Sequence, residues 1–238
     1  MIIIGEKING AIPSTAKAIA AKDGEFIKNL AKIQAEAGVD YIDVCASVDD
    51  DIELETMKWL IDLVQEVTDL PIAVDSPNVY TCIESMKYCN KPGVFNSGSL
   101  EGDKIDAAFK AIADTKWECV ALLNSDKGIP KTAKDRLDVF ADLMAKVKEY
   151  GIDPSRMHID PLVEMLCTSE DGIAMVVEVI KSIKEQYPTI HVTGAVSNIS
   201  FNLPARKMVN MGFTVLAMNA GLDSAILDPT NGDLMGII

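Results

Sequence analysis

Carboxylate and carboxamide side chains stand at or just past the end of nearly every strand-like segment of this sequence. In chain order they are Glu6, Asp43, Asp75, Asn96, Asn124, Asp160, Asn198 and Asn219. An ionised carboxylate only accepts hydrogen bonds, whereas a carboxamide both donates and accepts them. This combination suits an aminopyrimidinone such as a pterin, which presents an N–H/NH2 face beside carbonyl and ring-nitrogen acceptors. A phosphate is disfavoured, because carboxylates would repel it and the sequence has no P-loop or basic cluster.

Residues 194–206 form a second segment whose residue types could do chemistry. They follow an apolar run at 189–193 that predicts a strand, and they lead into a helical run that begins near Pro204. The segment holds two Ser, two Asn and one Arg but no carboxylate. Such a set favours hydrogen bonding to a neutral heterocycle over metal binding. Ser and Asn side chains also satisfy the backbone of turns, and the loop by itself leaves that structural explanation open.

Histidine and cysteine usage argues against a metal centre. His158 and His191 both lie within predicted strands, with no Cys or Glu at metal-ligand spacing. We therefore expect structural roles for both histidines and no bound metal. The cysteines are odd in number and form no Cys-x-x-Cys pair, which is typical of reduced thiols in a cytoplasmic protein. They are Cys45, Cys82, Cys89, Cys119 and Cys167.

Strand-like and helix-like segments alternate along the chain. The predicted strands are 1–4, 41–45, 71–75, 93–96, 119–124, 157–161, 189–193 and 213–219. The predicted helices lie at about 24–37, 52–67, from 76 onward, 102–113, 132–151 (with Thr132 as N-cap), 173–183, 204–211 and near Asp223. Eight alternations without a linker predict an α/β fold, a single (β/α)8 TIM barrel domain over residues 1–238 with its site at the C-terminal strand ends. An open doubly wound sheet is the alternative, although no Gly-x-Gly-x-x-Gly follows the first strand.

The charge of the chain limits its partners. The 238 residues carry a formal net charge of −14, so neither nucleic acid nor an anionic membrane surface is an expected partner. No apolar run reaches the roughly 18 residues of a transmembrane helix. The N-terminus begins directly with a strand-like run, which is unlike a signal peptide. Cytoplasmic localisation is the expectation.

Short motifs in a consistent order resemble the pterin-binding methyltransferases, which move a methyl group between methyltetrahydrofolate and a corrinoid protein. The motifs are Gly-Glu-Lys-Ile-Asn-Gly at 5–10, Asp-Ser-Pro at 75–77, Asn-Ser at 96–97, Asn124 with Gly-Ile-Pro-Lys at 128–131, Ile-Asp-Pro-Leu at 159–162, Ser-Asn-Ile-Ser at 197–200, and Gly-Leu-Asp at 221–223 leading to Asp228. Each motif is short, but their order and spacing over almost the whole chain are specific.

The resemblance implies roles for particular residues. By position in the family motifs, Asp75, Asn96 and Asp160 bind the pterin ring, and Asn198 lies beside N5, the nitrogen that carries the methyl group. Asn198 is then the catalytic residue, acting by an electrostatic and orienting hydrogen bond. A carboxamide cannot supply a proton at neutral pH, so the proton for N5 is expected from solvent. Additional pocket candidates are Glu6, Asn9, Asp43, Asn124, Ser197 and Arg206.

Three features depart from the family pattern. Lys7 stands where the family usually has Arg, so a bidentate contact at that position is lost. Cys45 replaces the usual Asn after the second strand, which puts the ordinary contact there in doubt. The family usually has a longer C-terminal helix than one ending at Ile238. A shorter helix predicts a barrel that is closed less completely or completed by a partner.

The resemblance also implies partners. Methyltetrahydrofolate and tetrahydrofolate are the implied substrates. The sequence has no Asp-x-His-x-x-Gly corrinoid-binding motif, so the cobalamin is implied to be carried by a separate corrinoid protein, with no metal bound directly. The acidic run at 49–51 is a candidate docking surface for that protein, with a solvated loop as the alternative. The family further suggests a homodimer.

Two other functions remain open from the sequence. A dihydropteroate synthase would share the barrel and the pterin pocket, but it needs a basic site for a pyrophosphate leaving group, for which this region offers mainly Arg206 and Lys207. A non-catalytic subunit that binds a pterin or a corrinoid protein would keep the barrel and lose turnover.

Overall fold

The described residues of this computed structural model, 1–169 and 171–238, form one eight-stranded parallel sheet wound into a nearly closed barrel. Its strands are β1 (Ile2–Asn9), β2 (Tyr41–Cys45), β3 (Ile72–Asp75), β4 (Val94–Leu100), β5 (Glu118–Ser125), β6 (Met157–Asp160), β7 (His191–Val192) and β8 (Ser224–Leu227). Neighbouring strands pair in the order β7-β6-β5-β4-β3-β2-β1-β8, so that β1 pairs with both β2 and β8.

Backbone contacts and one carboxylate join the two ends of the sheet. The Ile226 amide donates to the Gly194 carbonyl at 3.0 Å, and Ala195 and Ile226 form an isolated parallel bridge. Just before β8, the Asp223 carboxylate accepts from the Val192 amide at 2.8 Å. These contacts close the seam between β7 and β8 although β7 is only two residues long.

Helices pack around the sheet. They are α1 (Pro13–Ala20), α2 (Gly24–Glu36), α3 (Asp50–Gln65), α4 (Val79–Met86), α5 (Lys104–Ile112), α6 (Ala133–Glu149), α7 (Gly172–Gln186), α8 (Arg206–Ala220) and α9 (Gly232–Met235), with short 3-10 helices at Pro154–Arg156 and Val196–Ser200. Thr132 caps α6 as predicted, because its hydroxyl accepts from the Asp135 amide at 3.1 Å. In the described chain no helix has the length and apolarity needed to cross a bilayer.

The last strand is not where the sequence predicts it. The predicted strand at 213–219 is wrong, since these residues continue α8 to Ala220. Phe213, Ala217 and Ala220 are buried at helical spacing, whereas Val215 is exposed. The true β8 contains only four residues, and the short helix predicted near Asp223 is also wrong.

Other boundaries differ as well. Strand β1 runs on to Asn9 instead of ending at Ile4, which makes Glu6 part of the strand. Helix α1, which opens with Pro13 at its first turn, was not expected from the sequence. The acidic run at 49–51 is not a loop: Asp49 precedes α3 and the next two aspartates form its first turn, where negative charge stabilises the helix dipole.

Four strands carry a layer of buried apolar side chains, one residue from each strand. A small cluster of Ile4, Ala73, Val94 and Val120 is fully buried, separate from the larger core that includes residues of the surrounding helices. Side chains two positions apart on a strand share one face. The residues that follow this cluster by two positions therefore face the same interior, and three of them are Glu6, Asp75 and Asn96.

Candidate functional site

A cavity of about 720 Å³ opens at the C-terminal ends of the strands. Most of the residues proposed from the sequence line it, and they are Glu6, Asn9, Asp43, Asp75, Asn96, Asp160, Ser197, Asn198 and Arg206. Four different strands thus bring carboxylates to one space, as expected where strand ends meet in a (β/α)8 barrel.

Two of the predicted strand-end residues do not line the cavity. Asn219 lies on α8, so its prediction as a strand-end residue is wrong for the same reason as the misplaced strand. Asn124 does lie near the end of β5, one residue before Ser125, but it is absent from the cavity lining. Its buried Oδ1 atom has no hydrogen-bond partner within the described chain.

Asp43 and Asn96 form the most buried pair of the cavity. Asp43 is 1% exposed, and its Oδ1 accepts from Asn96 Nδ2 at 3.1 Å. Burial raises the pKa of Asp43 well above its usual value, the nearby Asp75 carboxylate raises it further, and the Asn96 hydrogen bond opposes both effects. The buried environment of Asp43 therefore favours the neutral form of its carboxyl group more than water does.

Asp75 and Asp160 are likewise short of compensating charge. Burial raises the pKa of each to about 6. Asp160 Oδ1 accepts from the Leu162 amide at 2.7 Å, and the Arg136 guanidinium lowers its pKa without offsetting the burial. Carboxylates in this state gain most from a ligand that brings its own N–H donors.

Arg136 is a supporting residue that the sequence did not reveal. It is fully buried in α6, donates to the carbonyl oxygens of Pro161 and Leu162, and pairs with Glu164 at 2.7 Å. The guanidinium thereby fixes the chain just after Asp160. In the sequence it falls within a regular helical pattern, which gives no sign of this long-range role.

The segment at Val196–Ser200 forms the wall beside β8. Ser197 Oγ donates to Glu6 Oε1 at 2.5 Å, which ties this wall to the middle of β1. Arg206 donates to Ser200 Oγ and to the Ser197 carbonyl oxygen, both at 3.0 Å. Asn198 lies between these anchors, and its side chain faces the cavity without a hydrogen bond to any described residue.

The mouth of the cavity contains five further polar residues, of which Asn210 and Asn231 were not named from the sequence. Lys7 pairs with Asp228 at 2.9 Å, and both line the wall. Asn210 of α8 has a buried Oδ1 atom with no partner among the described residues, so an acceptor is left for a ligand. Lys207 and Asn231 complete this side. Correct placement of β8 and of the end of α8 would have pointed to Asn210 and Asn231.

Cys45 has an indirect connection to the cavity. Its Sγ atom lies 3.2 Å from Ser47 Oγ, and Ser47 Oγ donates to Asn9 Oδ1 at 3.4 Å. Asn9 lines the cavity, whereas Cys45 does not. Burial raises the pKa of the Cys45 thiol, followed in size by the repulsion of Asp75, so the group stays neutral.

The family model for pterin binding enzymes matches residues 13–228. The chain belongs to this family. Its sequence is 45% identical over 240 residues to the methylcorrinoid:tetrahydrofolate methyltransferase of Eubacterium limosum, an alignment that covers 100% of this chain and 89% of that protein. It is 28% identical over 241 residues to the methionine synthase of Mycobacterium leprae (strain TN), covering 95% of this chain but 20% of that protein. The family predicted from the sequence is thereby confirmed.

Solved structures share the barrel. Dihydropteroate synthase from Xanthomonas albilineans in complex with 7,8-dihydropteroate superimposes with a TM-score of 0.71 at 15% identity, covering 99% of this chain and 91% of that one. The dihydropteroate synthase of Coxiella burnetii in complex with pteroic acid gives 0.69 at 16% identity, with 99% and 91% covered. At this identity the likeness shows the fold, and it confirms the predicted (β/α)8 barrel.

Proposed function

We propose that this protein transfers a methyl group between N5 of tetrahydrofolate and the cobalt of a corrinoid held by a separate protein. The methyltransferase predicted from the sequence is confirmed by the 45% identity along the whole chain to a methylcorrinoid:tetrahydrofolate methyltransferase. The structural observation that supports the proposal is the cavity, which Asp75, Asn96, Asp160 and Asn198 line together. From that relative's name we take the methylcorrinoid as donor and tetrahydrofolate as acceptor.

The pterin ring fits the polar end of the cavity. Its N–H and NH2 edge would donate to Asp75 and Asp160, whose burial leaves them in need of donors. Asn96 would supply the mixed donor and acceptor contact, held in place by Asp43. Charge-assisted hydrogen bonds of this kind contribute about 1.5–3 kcal/mol each. The ring is thereby oriented before the methyl group approaches.

The reaction is an in-line displacement at the methyl carbon. The N5 lone pair forms the new C–N bond as the carbon–cobalt bond breaks, and the bonding electron pair stays on cobalt. The reverse direction uses the same site. Holding methyl carbon, N5 and cobalt in line supplies most of the rate enhancement. Asn198 would contribute a hydrogen bond that strengthens as charge changes at N5.

Asn198→Ala separates this role from pterin binding. We expect methyl transfer to fall by about 10²-fold or more, as for loss of one preorganised hydrogen-bond donor. Folate affinity should change by less than the transfer rate. Single-turnover methyl transfer and equilibrium folate binding are measured on the same preparation. Unchanged turnover would refute the role of Asn198 at N5.

A matched control comes from the same segment. Asn202 lies outside the cavity lining and has a φ of 62°, so Asn202→Gly removes a carboxamide without straining the backbone. Both transfer and binding should stay near the wild-type values. Folate binding without any transfer by the wild-type protein, given an active corrinoid partner, would identify a binding subunit instead.

We also propose that one barrel domain covers residues 1–238, that the protein is cytoplasmic, and that it forms a homodimer through α8. Met208, Val215 and Leu216 of α8 are 74%, 52% and 49% exposed, and their spacing places them on one side of the helix. Such a stripe is typical of an interaction surface. Val215→Glu combined with Leu216→Glu should convert the dimer to a monomer in analytical ultracentrifugation, and an unchanged mass would refute the assignment.

A further inference from the structure

Glu6 occupies a position in the cavity for which the proposed reaction has not yet provided a role. It stands in the middle of β1, half-buried in the wall, and its Oε1 atom accepts from Ser197 Oγ at 2.5 Å. Ser197 is 191 residues away in the chain and directly precedes Asn198. Barrel closure therefore brings a carboxyl group against the segment that carries the residue assigned to N5.

Proton balance requires a titratable group near N5. When the N5 lone pair of tetrahydrofolate attacks the methyl carbon, the product nitrogen carries one proton too many and must release it. In the reverse direction N5 must gain a proton as its methyl group leaves. A carboxamide such as Asn198 can do neither at neutral pH. The sequence alone pointed to solvent as the proton source.

We propose that Glu6 is the group that exchanges this proton, accepting it from N5 during methylation of tetrahydrofolate and returning it during demethylation. The inference deepens the proposed function and rests on it. The C–N bond forms, the carbon–cobalt bond breaks with its electron pair left on cobalt, and the N5 proton passes to a Glu6 carboxylate oxygen. Solvent then removes it from Glu6 in the open cavity.

The charges around Glu6 suit exchange near neutrality. Burial is the largest influence on Glu6 and raises its pKa, which the Ser197 hydrogen bond partly reverses. Asp228 at the end of β8 raises it, whereas Lys7 of β1 and Arg206 of α8 lower it, and the resulting pKa is about 7. Asp43 of β2 also faces Glu6. A group with this pKa is populated in both forms where the enzyme works.

The other titratable groups of the cavity have competing tasks. Asp43 accepts from Asn96, and Asp160 accepts from the Leu162 amide. Lys7 is paired with Asp228. Glu6 differs because its described partner, Ser197, is a hydroxyl group that can remain bonded to either protonation state.

The test follows the pH dependence of single-turnover methyl transfer in both directions, with methylcorrinoid protein and tetrahydrofolate or with reduced corrinoid protein and methyltetrahydrofolate. Methylation needs ionised Glu6, so its rate should fall as the pH drops through about 7. Demethylation needs protonated Glu6, so its rate should fall as the pH rises through the same value. These two decreases are the limbs of the two pH–rate profiles. Glu6→Gln should lower both rates at neutral pH by about 10²-fold and remove both limbs.

Ser197 variants test the role of Glu6 independently, because they change its pKa without replacing it. The Ser197 hydroxyl lowers the pKa of Glu6, so Ser197→Ala should move both limbs to higher pH. Ser197→Thr keeps a hydroxyl group and should hold the limbs near the wild-type position. This pair also serves if Glu6→Gln does not fold, which thermal melting and folate binding would reveal.

Each outcome is decisive. Limbs that persist in Glu6→Gln would belong to the folate or to another group and would overturn the assignment, even if the rate had fallen. Limbs that stay in place in Ser197→Ala would also overturn it. In both cases wild-type transfer still supports the proposed function. Absence of transfer by the wild-type protein in either direction would overturn the proposed function and, with it, the role of Glu6.

Discussion

The two ends of the barrel differ in whether their buried polar groups have hydrogen-bond and charge partners. At the N-terminal end of the strands, the fully buried His158 lies 2.7 Å from Glu118 (Nε2 to Oε2) and 2.9 Å from Ser224 (Nδ1 to Oγ). Near them, burial would raise the pKa of Asp223, but hydrogen bonds from His191 and Lys184 outweigh it and lower the pKa to about 2. The polar groups of this closed end compensate one another.

At the cavity end the compensation is incomplete. Burial raises the pKa of Asp75 and of Asp160 to about 6, and that of Glu6 to about 7. These groups belong to the same sheet as those of the closed end, and β6 carries both His158 and Asp160, but they have too few donors around them. The difference is consistent with one end stabilising the fold and with the proposed pterin site at the other.

The largest expected effect is on the pH dependence of stability. A carboxyl group whose pKa is raised by folding contributes stability below its unfolded value, near 3.8, and loses it as the pH rises through the folded value. For Asp75 and Asp160 that window runs from about 4 to about 6. Each shift corresponds to at most about 3 kcal/mol. The ligand-free protein should therefore be less stable at pH 8 than at pH 5.

Urea unfolding at the two pH values measures this difference. The double variant Asp75→Asn with Asp160→Asn should lose the part of this difference that these two carboxyl groups contribute, because neither new side chain titrates. Glu6, whose pKa is raised to about 7, should keep its own contribution. Asp223 behaves in the opposite sense, since its lowered pKa gives stability that is lost only as the pH falls from about 4 to about 2. Equal stability at pH 5 and pH 8 would contradict the contrast between the ends.

The second prediction concerns Asp160→Asn alone. We expect the ligand-free variant to be more stable than the wild type at pH 8, because a buried charge with incomplete compensation is removed. Folate affinity should fall about 10- to 100-fold, since one charge-assisted hydrogen bond of about 1.5–3 kcal/mol is lost. Thermal melting measures the change in stability, and calorimetric titration measures the change in folate affinity. A variant that binds folate normally would contradict the assignment of Asp160.

The third prediction breaks the closed end. Asp223→Ala removes acceptors for the Val192 amide and for His191 and Lys184. The side chain is 35% exposed, so screening reduces the effect, and we expect a loss of about 2–3 kcal/mol in unfolding free energy. Folate affinity of the folded fraction should be unchanged. Lys146→Ala, which removes a surface pair with Asp106 on the helical layer, is a control expected to cost below about 1 kcal/mol.

The sequence predicted the barrel for a physical reason, because strand-like and helix-like segments alternate along the chain. Asp75, Asn96 and Asp160 follow short apolar runs, and a parallel barrel gathers such positions by its topology alone, so all three line the cavity. Their contact with a pterin stays a prediction. The misplaced β8 arose because residues 213–219 are rich in residues that favour strands, while the packing of α8 against its neighbours decided the outcome.

Contacts between distant segments could not be predicted in this way. The bond between Glu6 and Ser197 joins the first strand to a 3-10 helix beyond the seventh, and it depends on how the barrel closes. Arg136 acts across two elements from within an ordinary amphipathic helix. Asn210 of α8 and Asn231 after β8 were missed because the strand and helix around them were assigned wrongly. The local sequence pattern thus identified side chains whose positions follow from the strand order of the barrel. It did not identify side chains whose positions depend on packing between distant segments.

The smallest expected effect compares how readily the two ends open. Cys45 lies at the cavity end of β2 and is 5% exposed, whereas Cys119 lies at the start of β5, near the closed end, and is 0% exposed. Burial raises the pKa of both thiols, that of Cys119 to about 12, so alkylation reports local opening rather than intrinsic reactivity.

Under native conditions, in a background of Cys167→Ser to remove the exposed thiol, Cys45 should be labelled roughly tenfold faster than Cys119. Tetrahydrofolate should slow the labelling of Cys45 and leave Cys119 unchanged, because a ligand that completes the carboxylate end suppresses opening only there. Peptide mapping by mass spectrometry gives both rates from one sample. Equal protection of the two thiols by folate would mean that the ends open together, as one cooperative unit.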